Sequence, residues 1–402
     1  MKVIYDDTNQ HVPIKLWLDD IEDGAMEQAL NLSRLPFAYK HIALMPDCHQ
    51  GYGMPIGGVL CTIGTVIPNA VGVDIGCGMC AVKTSLKEIS IEQLKEIMGK
   101  IRKVIPVGNG KGGSHKEKQN NRLMPTIGKM LDERCYKVIN QEYNNALKQL
   151  GTLGGGNHFI EIQKGSDGYI WIMLHSGSRN LGYKVAKHYN DLAKDLNRKW
   201  YTGIPEKADL AFLPTDNEEG QTYLAEMNYC LDFAQANRDS MMERIIDLLF
   251  YEFGLCPENN GSFLDNLINV HHNYATMEHH FGKNVMIHRK GATSAREGQL
   301  GIIPGSQGTK SYIVKGKGNI ESFMSCSHGA GRKMGRKEAQ RSLDLATEQK
   351  KLNDQGIVHS VRTKNDLDEA PGSYKDISVV MENQKDLVDI ITELTPLGVI
   401  KG

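Results

Sequence analysis

The sequence predicts an α+β fold, with mixed β-sheets flanked by helices, in a single domain over residues 1–402. Three observations carry that expectation. Helical and strand-like patterns are interspersed without a regular βαβ rhythm, which disfavours a doubly wound sheet. Apolar residues make up 40% and charged residues 24%, the profile of a chain with a sizeable core rather than a disordered one. No internal repeat or low-complexity linker divides the chain, and its 42 glycines predict many tight turns or close backbone approach to a ligand.

The elements follow in order. Residues 59–63, 170–174, 285–288 and 311–314 are short β-branched or apolar runs and read as strands. Ser90 and Gln93 form a capping-box pair. The helix they open carries Leu94, Ile97, Met98, Ile101 and Val104 on one face. A longer helix is expected over about 221–250, with Leu224, Met227, Leu231, Ala234, Ile245, Leu248 and Leu249 as its apolar positions. A late helix is expected from Lys385 through Leu394, stopped by Pro396. Residues 108–115 and 201–220 read as loops.

Several function classes are excluded or weakened early. No run reaches ~18 apolar residues, so no membrane-spanning helix is expected. The N-terminal stretch lacks a basic region followed by an apolar one, so no signal peptide is expected and cytoplasmic residence follows. Eight cysteines in such a chain predict thiols rather than a disulfide framework. Formal net charge is −1, which argues against a generally basic nucleic-acid coat protein but allows a local basic groove. Candidate segments are Lys100, Arg102, Lys103, Lys111, Lys116, Lys118 and Arg122; Arg289, Lys290 and Arg296; and Arg332, Lys333, Arg336 and Lys337. Each run alone fits a solvated face; together they can line a path for a phosphate backbone. Gly108, Gly110 and Gly113 match a dinucleotide fingerprint, but the polar stretch 114–121 offers no apolar helix face, so the match is rejected.

Glycine, histidine and cysteine cluster in a few blocks. Asp74 and Cys77 lie three apart between glycines, so both groups can point into one pocket. Asp oxygen, Cys sulfur and His nitrogen make a mixed ligand set for a transition metal. His158, His175 and His272 would complete two adjacent sites sharing a ligand, an arrangement suited to phosphoryl chemistry. A buried structural cysteine and hydrogen-bonded histidines fit the same residues. Cys77 and Cys80 form a C-x-x-C, but no second pair completes a zinc site. His328, in SCSHGAGR, can act as a nucleophile when neutral, with Arg332 offering a fork for phosphate oxygens. A loop histidine without a role is the plainer alternative.

Taken together the blocks resemble the RtcB family of RNA ligases. The matching stretches are MPDCHQGYGMPIGGVL, AVGVDIGCGM, LGTLGGGNHFIE, LHSGSRNLG, HHNYA, RKGATSAREGQLGIIPGSQGTKSYIV, SCSHGAGR, APGSYKDI and PLGVIKG. They run in the family's order from about residue 45 to the end. The resemblance implies an RtcB-like catalytic domain around a deep metal and nucleotide cleft. It implies a ligase that joins RNA 2′,3′-cyclic-phosphate or 3′-phosphate ends to 5′-hydroxyl ends with GTP and two Mn²⁺. By motif it assigns the metals to Asp74, Cys77, His158, His175 and His272, with Cys77 bridging, and the covalent GMP to His328. Nucleotide contacts fall on Asn157, Phe159, Glu161, Asn273, Pro304, Gly305, Ser306, Gln307, Ser311, Gly329, Ala330, Gly331, Tyr374 and Lys401. Arg179 and Arg332 fall where phosphate or RNA is held. A metal phosphodiesterase that never ligates is the nearest rival. Cys80 takes no family role, and the match is poor over about 105–145. The physiological RNA, the oligomeric state and an activating protein partner are left open.

Overall fold

Two large sheets are built from the expected runs and several longer ones. The structure, a computed structural model, describes residues 1–108, 113–116, 124–125, 136–254 and 266–402. One six-stranded sheet runs Lys2–Ile4, Ile14–Leu16, Ala38–Tyr52, Met54–Thr62, Lys283–Lys290 and Asn273–His280. Its Ile14–Leu16 strand pairs parallel to Ala38–Tyr52, and the other neighbours pair antiparallel. The second, seven-stranded sheet is antiparallel throughout, in the order Ile268–His271, Gly78–Lys83, Ile170–Ser176, Phe159–Gly165, Val388–Lys401, Ser311–Gly316 and Leu300–Ile303.

Strand alternation explains how the second sheet is covered on both faces. Ile170, Ile172 and Leu174 turn to one side, where they meet Leu94, Ile97, Met98 and Ile101 of the helix Ile91–Val104 and Met241, Met242, Ile245 and Leu249 of the helix Glu218–Phe253. Each such buried aliphatic side chain contributes about 1.5–3 kcal/mol relative to exposure. Trp171 and Met173 turn to the other side, into a cluster with Met79, Ile313, Val270 and Ile302. Val270 and Ile302 come from the two edge strands, so the sheet curls until its ends share one core.

Both expected capping-box bonds form at Ser90 and Gln93. Val104, expected on the apolar face, is instead 39% exposed at the helix end. The long helix extends beyond 221–250 at both ends because Asn217 caps its start and Gly254, at φ +65°, its end.

Three expectations are corrected. Residues 385–394 are not a helix: the strand Val388–Lys401 is an interior strand of the second sheet. Val388, Ile390, Ile391 and Thr392 are β-branched; this half of the strand pairs with Ser311–Gly316, and the half from Leu394 to Lys401 pairs with Phe159–Gly165. Pro396 does not stop a helix but lies at a register shift, where its missing N–H is tolerated. The stretch 201–220 is not only loop; it contains the turn Glu206–Ala208, the strand Leu213–Pro214 and the start of the long helix. Arg289 and Lys290 form no solvated face, since both are buried, Arg289 against Glu278.

The six described cysteines, 48, 61, 77, 80, 230 and 326, are free and buried, as expected of thiols. Cys135 and Cys256 lie outside the described residues, as do Lys111, Lys118, Arg122 and Gly110. Among the described residues no helix is long and apolar enough to cross a membrane.

Candidate metal and nucleotide site

Register gathers the expected metal ligands at one end of the second sheet. His175 pairs with Phe159 on one side and Met79 on the other, so His158 and Cys77, each just before its strand, arrive beside it. His272 is the single residue between Ile268–His271 of the second sheet and Asn273–His280 of the first, and so marks the crossing between the sheets. The loop bearing Asp74 and Cys77 is pinned by Asn273, whose Nδ2 donates to the Asp74 carbonyl at 3.1 Å, and by Gly76 N–H donating to Asn273 O at 2.9 Å. Gly76 has φ +73°, and a Cβ there would meet Ala234 Cβ at 2.9 Å, so the loop fits the long helix only with glycine.

Two donor groups result: Asp74, Cys77 and His158, and Cys77, His175 and His272, each with its ligand atoms within 4.8 Å of one another. Cys77 belongs to both. Its Sγ is 3.4 Å from His158 Nε2 and 3.1 Å from His175 Nε2. His175 and His272 face each other Nε2 to Nε2 at 3.3 Å. The Nδ1 atoms of His158 and His175 point at the carbonyls of Leu153 and Asn157, at 3.0 and 3.1 Å. A carbonyl only accepts, so Nδ1 carries the proton and the Nε2 lone pairs converge. Burial holds His175 and His272 well below the usual histidine range, in the neutral form that ligates. Converging lone pairs, a thiol and a carboxylate fit divalent metal ions between them.

Behind the cluster lies a residue that sequence reasoning missed. Arg238, on the long helix, is wholly buried and donates to Gly76 O at 2.9 Å and Ser176 O at 3.0 Å, with Nη2 3.1 Å from His271 Nδ1. These groups adjoin Cys77, His175 and His272, so one guanidinium spaces three ligands. Cys80, in contrast, faces the apolar core and joins neither donor group.

His328 follows the short strand Ser325–Ser327, which pairs with Ala292–Ser294. Asp47, fully buried in the strand Ala38–Tyr52, accepts from both His328 N–H at 3.1 Å and Nδ1 at 2.6 Å through one oxygen. The Asp47 contact places the proton of the neutral ring on Nδ1 and leaves the lone pair on Nε2. Asp47 was not singled out from the sequence, although it stands in the first motif block. Gly331, at φ +73°, lets the SHGAGR loop close on that block; a Cβ there would lie 2.2 Å from Asp47 O. The His328 ring packs edge-on to His272 at 4.8 Å between centroids, so it adjoins the donor cluster.

Two cavities meet at His328. One is lined by Asn157, Phe159, Glu161, Pro304, Gly305, Ser306, Gln307, Gly329, Ala330, Gly331, Tyr374 and Lys401, which are twelve of the fourteen residues expected at a nucleotide. The other two are placed differently. Ser311 is buried behind the wall, accepting from Gly305 N–H and Gln163 Nε2, both at 3.1 Å. Asn273 lines the second cavity, with Asp74, Cys77 and His272. His328 and Arg332 line both.

Charge in the first cavity centres on Glu369, also missed from the sequence. It contacts Arg332, Arg336 and Lys401 at 3.3, 3.1 and 3.1 Å and accepts from Tyr374. Burial alone would raise its pKa, but Lys401 and Arg336 hold it below the usual range. Arg179 lines neither cavity. It has φ +58°, lies over Gly154 and places Nη1 3.3 Å from His158 Nδ1.

The profile of the family described as tRNA-splicing ligase RtcB matches residues 28–402. An RNA-splicing ligase RtcB of Escherichia coli is 40% identical over 406 residues, covering 98% of each chain. A tRNA-splicing ligase RtcB of Thermococcus kodakarensis is 32% identical over 465 residues, covering 98% of this chain and 96% of the relative. An RNA-splicing ligase RtcB of Mycobacterium tuberculosis is 30% identical over 439 residues, covering 93% and 100%. On the match along nearly its whole length, the chain belongs to the RtcB family.

Proposed function

We propose that the chain is an RNA ligase that joins 2′,3′-cyclic-phosphate or 3′-phosphate ends to 5′-hydroxyl ends, using GTP and two Mn²⁺, through GMP bound covalently to His328. The observation that carries this reading is the placement of His328: its Nδ1 is held by Asp47 and its ring lies where the two cavities meet, against His272. The names of its relatives support the RNA-ligase class, and residues 1–402 are taken as one catalytic domain.

The steps assign a task to each group. His328 Nε2 attacks the α-phosphorus of GTP, forming a phosphorus–nitrogen bond as pyrophosphate leaves. An RNA 3′-phosphate oxygen then takes the GMP and frees His328. The 5′-hydroxyl attacks the activated RNA phosphate, giving up its proton, and GMP departs. A cyclic end must first be opened by water. Divalent ions held by Asp74, Cys77, His158, His175 and His272 would supply neutralisation of phosphoryl charge. Arg332 offers donors to phosphate, and Glu161, when ionised, offers acceptors to the N–H donors of guanine.

Joining of an RNA with these ends is expected only when both GTP and Mn²⁺ are supplied. Cleavage or phosphate release at full rate without GTP, and no joining with it, would move the reading to a metal phosphodiesterase.

Two further outcomes follow from the site. Asp47→Asn removes the charge that holds the His328 tautomer, and guanylylation is expected to slow on the order of 10²-fold with little change in GTP affinity. Single-turnover labelling and nucleotide titration separate the two; an unchanged rate would rule out this role for Asp47. Burial pushes the Glu161 carboxyl up to about 8, with Lys401 and a hydrogen bond from Gln163 opposing. It is therefore mostly protonated at neutral pH and ionises as pH rises. GTP affinity should strengthen through about pH 8, by at most about tenfold per pH unit for one proton. Calorimetry on Glu161→Gln should give a flattened profile; the same profile as the parent would exclude Glu161 as the guanine acceptor.

A further inference from the structure

We infer that Tyr52 is a stacking platform for a base of the RNA next to the broken end, a reading that rests on the RNA-ligase proposal. Tyr52 is at the tip of the hairpin joining Ala38–Tyr52 to Met54–Thr62, and it lines the second cavity with Cys77, His272 and His328. The residue is 75% exposed, and Val73, which lines the same cavity, is 48% exposed. Two exposed apolar groups in a cavity that also reaches Cys77, His272 and His328 offer contact to an aromatic ligand rather than to a charged one.

The tip is held firmly although the ring is free. Gln28 donates to Gly51 O at 2.7 Å and accepts from Gly51 N–H at 3.0 Å. Glu22 accepts from Gln50 N–H at 2.9 Å. The buried Lys290 amine donates to Tyr52 O at 2.5 Å and Asn69 O at 3.0 Å. Gly53, at φ +67°, packs so closely that a Cβ would lie 2.5 Å from Asp209 O. Among the described residues the Tyr52 hydroxyl and ring make no hydrogen bond or ring contact. A turn fixed from four directions that presents an unpartnered aromatic ring is preorganised for a ligand rather than for the core.

Size and charge indicate what that ligand is. The cavity encloses about 910 Å³, against about 200 Å³ for the one assigned to the nucleotide. Lys337 and Arg341 line it with Arg332 and Arg336, giving cations for a phosphate backbone near an aromatic face for its base. That pairing of basic groove and stacking ring suits a single-stranded end, with sequence tolerance because every base has a π-face.

The test uses Tyr52→Ala, Tyr52→Phe and Tyr52→Trp in the full chain, with a fluorescent RNA bearing a 3′-phosphate and 5′-hydroxyl, and the same RNA made abasic at its terminal nucleotides. Tyr52→Ala should weaken RNA binding by about tenfold or more, while Phe and Trp stay within about threefold of the parent. The parent should lose a similar factor on the abasic RNA, and Tyr52→Ala should lose little further, since the same contact is already gone. Covalent labelling by GTP without RNA should be unchanged in all three variants. Equal RNA affinity for Ala and parent, full additivity with the abasic RNA, or a parallel fall in GTP labelling would each overturn the proposal. Anisotropy reads RNA affinity without turnover, so a failed ligase reading shows separately, as a parent that binds RNA but takes no label from GTP.

Discussion

His328→Ala should abolish joining, with a loss on the order of 10⁴-fold or more, because its ring, with Nδ1 held by Asp47, is the proposed acceptor of GMP where the two cavities meet. Three features of the site set this expectation. Asp47 fixes the Nδ1 proton, so the Nε2 lone pair that attacks is lost with the ring. The replaced residue is not a member of either metal-donor group, so metal content should stay at the parent's level. Walls of the first cavity also come from other segments, among them Phe159 and Pro304, so GTP should still bind. Gel-resolved joining, metal analysis and nucleotide titration on the same preparation check all three. Joining retained above a tenth of the parent rate would show that the covalent step does not run through His328.

Cys77→Ala should empty both metal positions at metal concentrations that saturate the parent. Cys77 is the one residue common to the two donor groups, so its removal leaves each with only two ligands. The loss in affinity should exceed the ~10–100-fold that removal of an outer partner of a metal ligand costs. Cys80→Ala, three residues on, is the control: Cys80 faces the core between the helix Ile91–Val104 and the sheet, and its replacement should keep full metal content. The pH dependence has a definite sign. Burial and the adjacent Asp74 push the Cys77 thiol well above its usual range. Binding must therefore displace its proton, and affinity should rise as pH rises. Elemental analysis after gel filtration decides the stoichiometry; full metal retention by Cys77→Ala would remove it as the shared ligand.

Much of the site was legible because its chemistry is local. Asp74 and Cys77 are three residues apart, and His328 sits in a glycine-rich block, so spacing marks them as candidates; the resemblance to the family is what assigns their roles. Their convergence was not legible, since it depends on register: His175 meets both Phe159 and Met79 only once three strands pair. Asp47 stood in a recognised block yet drew no role, because its partner is 281 residues away. Arg238 and Glu369 were invisible for a related reason. One lies within a long helix whose pattern reads only as amphipathic, and the other gathers cations from several distant segments. In the fold, the capping box at Ser90 was read correctly because both partners lie within one turn. The strand Val388–Lys401 was misread as a helix because its partners lie far upstream, and pairing with them outweighs local pattern.

The most direct test of the account is the mass of the intact protein after incubation with GTP and Mn²⁺ in the absence of RNA, followed by peptide mapping. The account predicts a gain of one guanylyl group per chain, placed on the peptide containing His328 and discharged when RNA with a 3′-phosphate is added. Protein that binds GTP and metal but shows no mass gain, or a guanylyl group on another residue, would contradict it.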